Sequence, residues 1–134
     1  MTYNLLASGD KMADLMENRI YETKPRLPEF LHEVADSIKR VYPDSTIILF
    51  GSYARGEQHE DSDLDICVLV SELAGRRLDM NVELRGLIRN TCYDNNLPFD
   101  IKLYTYNEFE QESQYKSTLQ YTIKTEGVTL SEQR

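Results

Sequence analysis

The stretch that most constrains the fold of this chain is a short apolar run that ends in a glycine. Thr46-Ile-Ile-Leu-Phe50 has the unbroken β-branched and aliphatic character of a buried strand. It delivers the chain directly into Gly51-Ser52, and after ten intervening residues a second apolar run opens with Asp63-Leu64-Asp65 and continues to Val70. Two strands joined by a polar loop therefore form the centre of the domain, and acidic residues stand where the second strand begins.

Side chains at i and i+2 of a strand share a face, so Asp63 and Asp65 project side by side, with Cys67 and Leu69 behind them. Leu64, Ile66, Val68 and Val70 point the other way, toward helices. Adjacent carboxylates repel unless a cation lies between them. Hard oxygen donors suit Mg²⁺, which keeps several waters and takes further ligands from substrate phosphates, so a nucleoside triphosphate is the matching guest. The Gly51-Ser52 turn offers such a guest close backbone approach, N–H groups and a hydroxyl. Arg55 adds a fixed positive charge nearby.

Around this centre the periodicities predict a simple alternation. Phe30, Leu31, Val34, Ala35, Ile38 and Val41 recur at helical spacing, which predicts a helix over 29–41 that Tyr42-Pro43-Asp44-Ser45 ends. Leu84, Leu87, Ile88, Thr91 and Cys92 predict a second helix over 76–93, covering the same face of the sheet. A third strand, 99–105, alternates Phe99, Ile101 and Leu103 with Asp100, Lys102 and Tyr104, so Asp100 can share a face with Asp63 and Asp65. Tyr115, Leu119 and Ile123 predict a closing helix that Gly127 stops, with a short edge strand at Val128-Thr129-Leu130. The loop residues Asp61 and His59 are read as solvent-facing, because pairing Asp61 with Asp63 would shorten the gap after Ser52.

The fold class expected is thus α/β (α+β): a small mixed sheet with helices on one face and an acidic site on the face without helices. Residues 1–28 read as an N-terminal extension with a short helix near Lys11–Tyr21, residues 29–130 as the folded domain, and 131–134 as a tail.

Gly51-Ser52, the ten-residue gap and Asp63-Leu64-Asp65 resemble the signature of the DNA polymerase β-type nucleotidyltransferase superfamily. The run from Gly51 to Gly56, GSYARG, is similar to its minimal nucleotidyltransferase (MNT) branch, and the resemblance extends over about 29–130. It implies the polymerase β-like fold and an enzyme that uses two Mg²⁺ ions with ATP as donor. In that scheme Asp63 and Asp65 bridge both ions, and Asp100 completes the set and receives the acceptor's proton. Gly51 and Ser52 orient the β- and γ-phosphates, with Arg55 as a further phosphate contact. It also implies a partner, since stand-alone MNT proteins resemble the antitoxin half of HEPN/MNT toxin-antitoxin pairs. There the expected reaction is transfer of AMP to a tyrosine of the HEPN toxin.

Composition narrows the alternatives. A chain of 134 residues builds one domain with a real core, and leaves no room for the acceptor-binding domain that larger relatives carry. A formal charge of −8 disfavours a long nucleic-acid substrate, whose binding relies on clustered Lys and Arg. There is no membrane-length apolar run and no secretory signal, so a cytoplasmic protein is expected. Cys67 and Cys92 read as reduced core residues. Two other functions stay open beside protein adenylylation: a binding antitoxin that acts by occlusion, and a nucleotidyltransferase subunit acting on a small molecule such as an antibiotic. Homo-oligomerisation is also left open.

Overall fold

The computed structural model describes residues 27–130, so the helix expected near Lys11–Tyr21 and the tail lie outside the described residues. Chain order is α1 (Phe30–Val41), β1 (Thr46–Phe50), α2 (Ser52–Arg55), β2 (Leu64–Val70), α3 (Arg77–Asp94), β3 (Phe99–Thr105), α4 (Tyr106–Glu112), α5 (Leu119–Glu126) and β4 (Val128–Thr129). The four strands form one mixed sheet in the order β3-β2-β1-β4, with β2 and β3 parallel and the other two pairings antiparallel.

The two long helices cover one face, as the periodicity predicts. α1 buries Leu31, Val34, Ala35 and Ile38, and α3 buries Met80, Leu84, Ile88 and Cys92. Both stripes meet Ile47, Leu49, Leu64, Ile66, Val68, Val70, Ile101 and Leu103, which all project from the same side of the sheet. Each fully buried Leu or Ile contributes about 1.5–3 kcal/mol of transfer free energy, so this layer is the main driving force for folding. Polar contacts then fix the helices. Arg77 Nη1 and Asn81 Nδ2 donate to the Leu103 and Ile101 carbonyls of the edge strand β3, at 2.7 and 3.3 Å. The Tyr42 hydroxyl donates to Glu83, tying the end of α1 to α3. Burial and this carboxylate push the Tyr42 hydroxyl up to about 12.

The opposite face differs from expectation. Ile48, Phe50, Cys67 and Leu69 form a smaller cluster there with Phe109 of α4 and Ile123 of α5, so short helices cover part of the face expected to be bare. α4 has no strong hydrophobic period, and its start is marked instead by a capping box. Thr105 Oγ1 accepts from the Glu108 N–H at 3.1 Å, and Glu108 Oε1 accepts from the Thr105 N–H at 2.9 Å. α5 begins at Leu119 behind a Thr118 cap, so Tyr115 lies outside the helix and is exposed, whereas Ile123 is buried. The cysteines are buried and free, and burial pushes the Cys67 thiol up to about 12 and that of Cys92 to about 11. Among the described residues no helix is long and apolar enough to cross a membrane.

Gly127 stops α5 as predicted, for a reason the sequence does not show. Its backbone is extended, not left-handed. A Cβ there would lie 2.4 Å from the Ile123 carbonyl oxygen and 2.5 Å from Ile48 Cγ2. Gly127→Ala is therefore expected to cost about 1–3 kcal/mol through overpacking, read as a lowered midpoint in urea denaturation.

Candidate active site

The site is built by strand register. Asp65 in β2 pairs with Phe50 of β1 on one side and with Asp100 of β3 on the other. The alternation that sends Leu64 and Ile66 into the core sends Asp65 to the opposite face, and Asp100 stands beside it for the same reason. Asp63 lies one residue ahead of the strand and is exposed, close enough for its charge to act on Asp65.

Gly51 follows Phe50 with φ +77°, a backbone region that a side chain rarely adopts. The reason for glycine is also spatial, because a Cβ here would lie 2.3 Å from Asp65 Oδ2. The glycine turn and the aspartate carboxylate are thus in direct apposition. Gly51 caps α2, a single helical turn from Ser52 to Arg55 that Gly56 ends in the left-handed region. The Ser52 hydroxyl makes no hydrogen bond among the described residues.

Electrostatics follow from this crowding. Burial, and then the negative charges of Asp100 and Asp63, push the Asp65 carboxyl above the ordinary aspartate value of 3.8, while Lys102 and Arg55 partly offset the rise. Asp65 itself makes no hydrogen bond or ion pair among the described residues. Asp100 is turned to two cations, with Lys102 Nζ 3.2 Å from Oδ2 and Arg85 Nη1 3.6 Å from Oδ1. Arg55 is also engaged, by Glu57 at 2.9 Å and Glu126 at 3.6 Å. Consistent with these pairings, among the described residues no three His, Cys, Asp or Glu side chains stand together as a ready-made metal cage.

The donor set nevertheless suits a hard divalent cation. It consists of carboxylates alone, and one of them, Asp65, carries a charge that its surroundings disfavour and no neighbour pairs. The ion pairs of Asp100 are between half-exposed groups, a class worth about 0–1 kcal/mol, so a cation can displace them. Of the six residues singled out from sequence, the fold brings Gly51, Asp65 and Asp100 into one place, with Asp63 and Ser52 flanking them. Arg55 is held at the far end of α2. Lys102 and Arg85 were missed. Lys102 was legible as the i+2 neighbour of Asp100, whereas Arg85 reaches it only because α3 packs beside the edge strand.

The loop behaves as expected. His59 Nδ1 accepts from the Asp61 N–H at 3.2 Å, and Ser62 Oγ accepts from the His59 N–H at 2.9 Å, so His59 is spent on local turn structure.

Comparison with known proteins places the fold in a family. A family model described as "Nucleotidyltransferase domain" matches residues 31–125. The chain belongs to that family. It is 39% identical over 69 residues to the Methanocaldococcus jannaschii protein named "Putative protein adenylyltransferase MJ1305", a match covering 50% of this chain and 47% of the relative. A second relative from the same organism, "Putative protein adenylyltransferase MJ1379", is 45% identical over 51 residues, 38% of this chain and 51% of its own length. The chain spans about half the length of these two relatives. A solved structure, "Crystal structure of the toxin-antitoxin with AMP-PNP", superposes with a TM-score of 0.53 at 23% identity, covering 77% of this chain and 73% of that one. This last likeness shows a shared fold.

Two outcomes test the candidate site. Because the Asp65 carboxyl is raised, ionising it costs stability, and that cost builds from about pH 4 upward, is complete above the raised value, and vanishes at lower pH. In EDTA, Asp65→Asn is therefore expected to melt at a higher temperature than wild type at pH 7, with the gap closing toward about pH 3.5; an equal gap at both pH values would contradict the crowding. Gly51→Ala is expected to lower the melting temperature and abolish Mg²⁺-dependent nucleotide binding, both read by thermal shift with and without ligand.

Proposed function

We propose that this protein is an Mg²⁺-dependent nucleotidyltransferase that transfers AMP from ATP to a hydroxyl of a protein acceptor, most specifically a tyrosine of a HEPN-type toxin that it neutralises. The observation that carries this reading is the apposition of Gly51 to the Asp65 carboxylate, with Asp100 paired alongside in register. A structural role makes no demand for a glycine turn against an unpaired, destabilised acid. The likeness to proteins named as adenylyltransferases supports a protein acceptor. The structural neighbour, a toxin-antitoxin with AMP-PNP, supports an adenine nucleotide and a toxin partner.

In this reading Asp63, Asp65 and Asp100 would hold Mg²⁺, which would supply charge neutralisation at the triphosphate and a lowered pKa for the attacking hydroxyl. The chain's own residues do the rest. Gly51 lets the backbone approach the β- and γ-phosphates, and the free Ser52 hydroxyl donates to them. The acceptor oxygen would attack the α-phosphorus and pass its proton to Asp100 on the edge strand, while the bond from the α-phosphorus to the bridging oxygen breaks and pyrophosphate leaves. Lys102, paired with Asp100 in the protein alone, stands ready to offset phosphate charge. Positioning and electrostatics account for the reaction without a covalent enzyme intermediate.

A second reading keeps one observation in its favour. Arg55 is engaged by two glutamates and Asp100 by two cations, an arrangement also suited to a protein that neutralises its partner by occlusion alone.

One experiment separates them. Purified protein is mixed with α-phosphate-labelled ATP, Mg²⁺ and the protein encoded beside it, and label on that protein is followed. Transfer is expected, reduced in an Asp63→Asn, Asp65→Asn double variant by on the order of 10²–10³-fold, the scale of losing preorganised charge stabilisation. Absence of transfer, together with full rescue of cells from the toxin by the double variant, would favour occlusion.

A further inference from the structure

Beside Asp100, at the outer edge of β3, lies a cavity of about 270 Å³ that the mechanism above does not use. Arg85, Arg89 and Tyr93 line it from one stripe of α3 at i, i+4 and i+8, and Pro98 and Phe99 line it from the start of the strand. Its character is opposite to that of the protein as a whole. The chain carries a formal charge of −8, yet this cleft presents two guanidinium groups and two aromatic rings.

Arg85 links the cleft to the acidic site. Its guanidinium lies over the Phe99 ring, 4.9 Å from the centroid, and its Nη1 is 3.6 Å from Asp100 Oδ1. The stacking holds the fork in place, so the cleft opens next to the carboxylate assigned to the acceptor hydroxyl. Arg89, one turn further along α3, makes no hydrogen bond or ion pair among the described residues, and Tyr93 is 68% exposed.

We infer that this cleft is the acceptor-docking subsite, and that it selects a protein segment in which the acceptor tyrosine is flanked by carboxylates. The inference rests on the nucleotidyltransferase reading and names the acceptor chemistry of that same site. Three arguments carry it. Three aspartates at the reaction centre repel an anionic acceptor, so such an acceptor needs a cationic entry, and the two arginines provide one beside Asp100. Guanidinium forks match carboxylate geometry and bind it in pairs of hydrogen bonds, which the cleft can offer from Arg89 without disturbing Asp100. Tyr93 and Phe99 supply ring faces and edges for the acceptor's own aromatic ring. The cavity holds one or two side chains, and the strongly negative chain repels a longer polyanion, which favours an acidic peptide over a nucleic acid.

The test uses two fluorescent peptides, each with one tyrosine, flanked in one by glutamates and in the other by lysines. Binding to the full chain is followed by anisotropy at low and high salt, without nucleotide or metal. The glutamate peptide is expected to bind about tenfold tighter than the lysine peptide, with the preference lost at high salt. Arg89→Glu is expected to invert the order, and Tyr93→Ala to weaken both peptides, while Mg²⁺-dependent binding of a non-hydrolysable ATP analogue stays at the wild-type level. Equal binding of the two peptides, or an order that survives Arg89→Glu, overturns the proposal. Failure of the enzymatic reading shows separately, as absence of Mg²⁺-dependent nucleotide binding in the wild type.

Discussion

The structure depends on the register of its three central strands. Phe50, Asp65 and Asp100 stand in one row across β1, β2 and β3, and Gly51 turns the chain immediately after that row. Side chains alternate with period two, so a slip of one residue would bury Asp65 under α1 and α3 and expose Leu64 and Ile66 to solvent. What prevents the slip is the apolar layer on the far side. Leu64, Ile66, Val68 and Val70 are each at most 5% exposed, and their burial holds the acids on the other face. The hydrophobic effect thereby sets the geometry of a polar site to which it contributes no atoms.

The two faces of the sheet are covered unequally, and the site occupies the difference. α1 and α3 cover one face fully, while α4 and α5 cover the other through a smaller cluster that includes Phe50, Cys67 and Leu69. The acids are left at the margin of that cluster, where burial disfavours the Asp65 charge while Asp63 and Asp100 keep part of their surface in solvent. Cations make this tolerable in the protein alone. Lys102 and Arg85 on Asp100, and the field of Arg55 on Asp65, offset part of this concentration of like charge.

Legibility in the sequence tracked the strength of the local signal. Strands 46–50 and 99–105 emerge where the runs place them, and α1 and α3 begin within one residue of their periodic patterns. Pairing Asp100 with Asp65 required a parallel register between strands separated by a helix; alternation predicted the shared face, and the fold supplied the adjacency. α4 was missed because its apolar content is low, though Thr105 and Glu108 already spelled a capping box. The bare face was over-read, since Phe109 and Ile123 are single apolar residues in polar surroundings and reveal their packing only once the chain folds back.

The sequence by itself determined the alternation of elements, the acid-bearing face of each strand and the glycine turn, because these follow from side-chain periodicity and backbone sterics acting over a few residues. Only the tertiary structure decided which cations meet Asp100, why Gly51 and Gly127 tolerate no Cβ, and where a positive cleft opens on a negative protein. Those are distances between residues far apart in the chain. They are set by how helices pack on a sheet, and no local pattern encodes them.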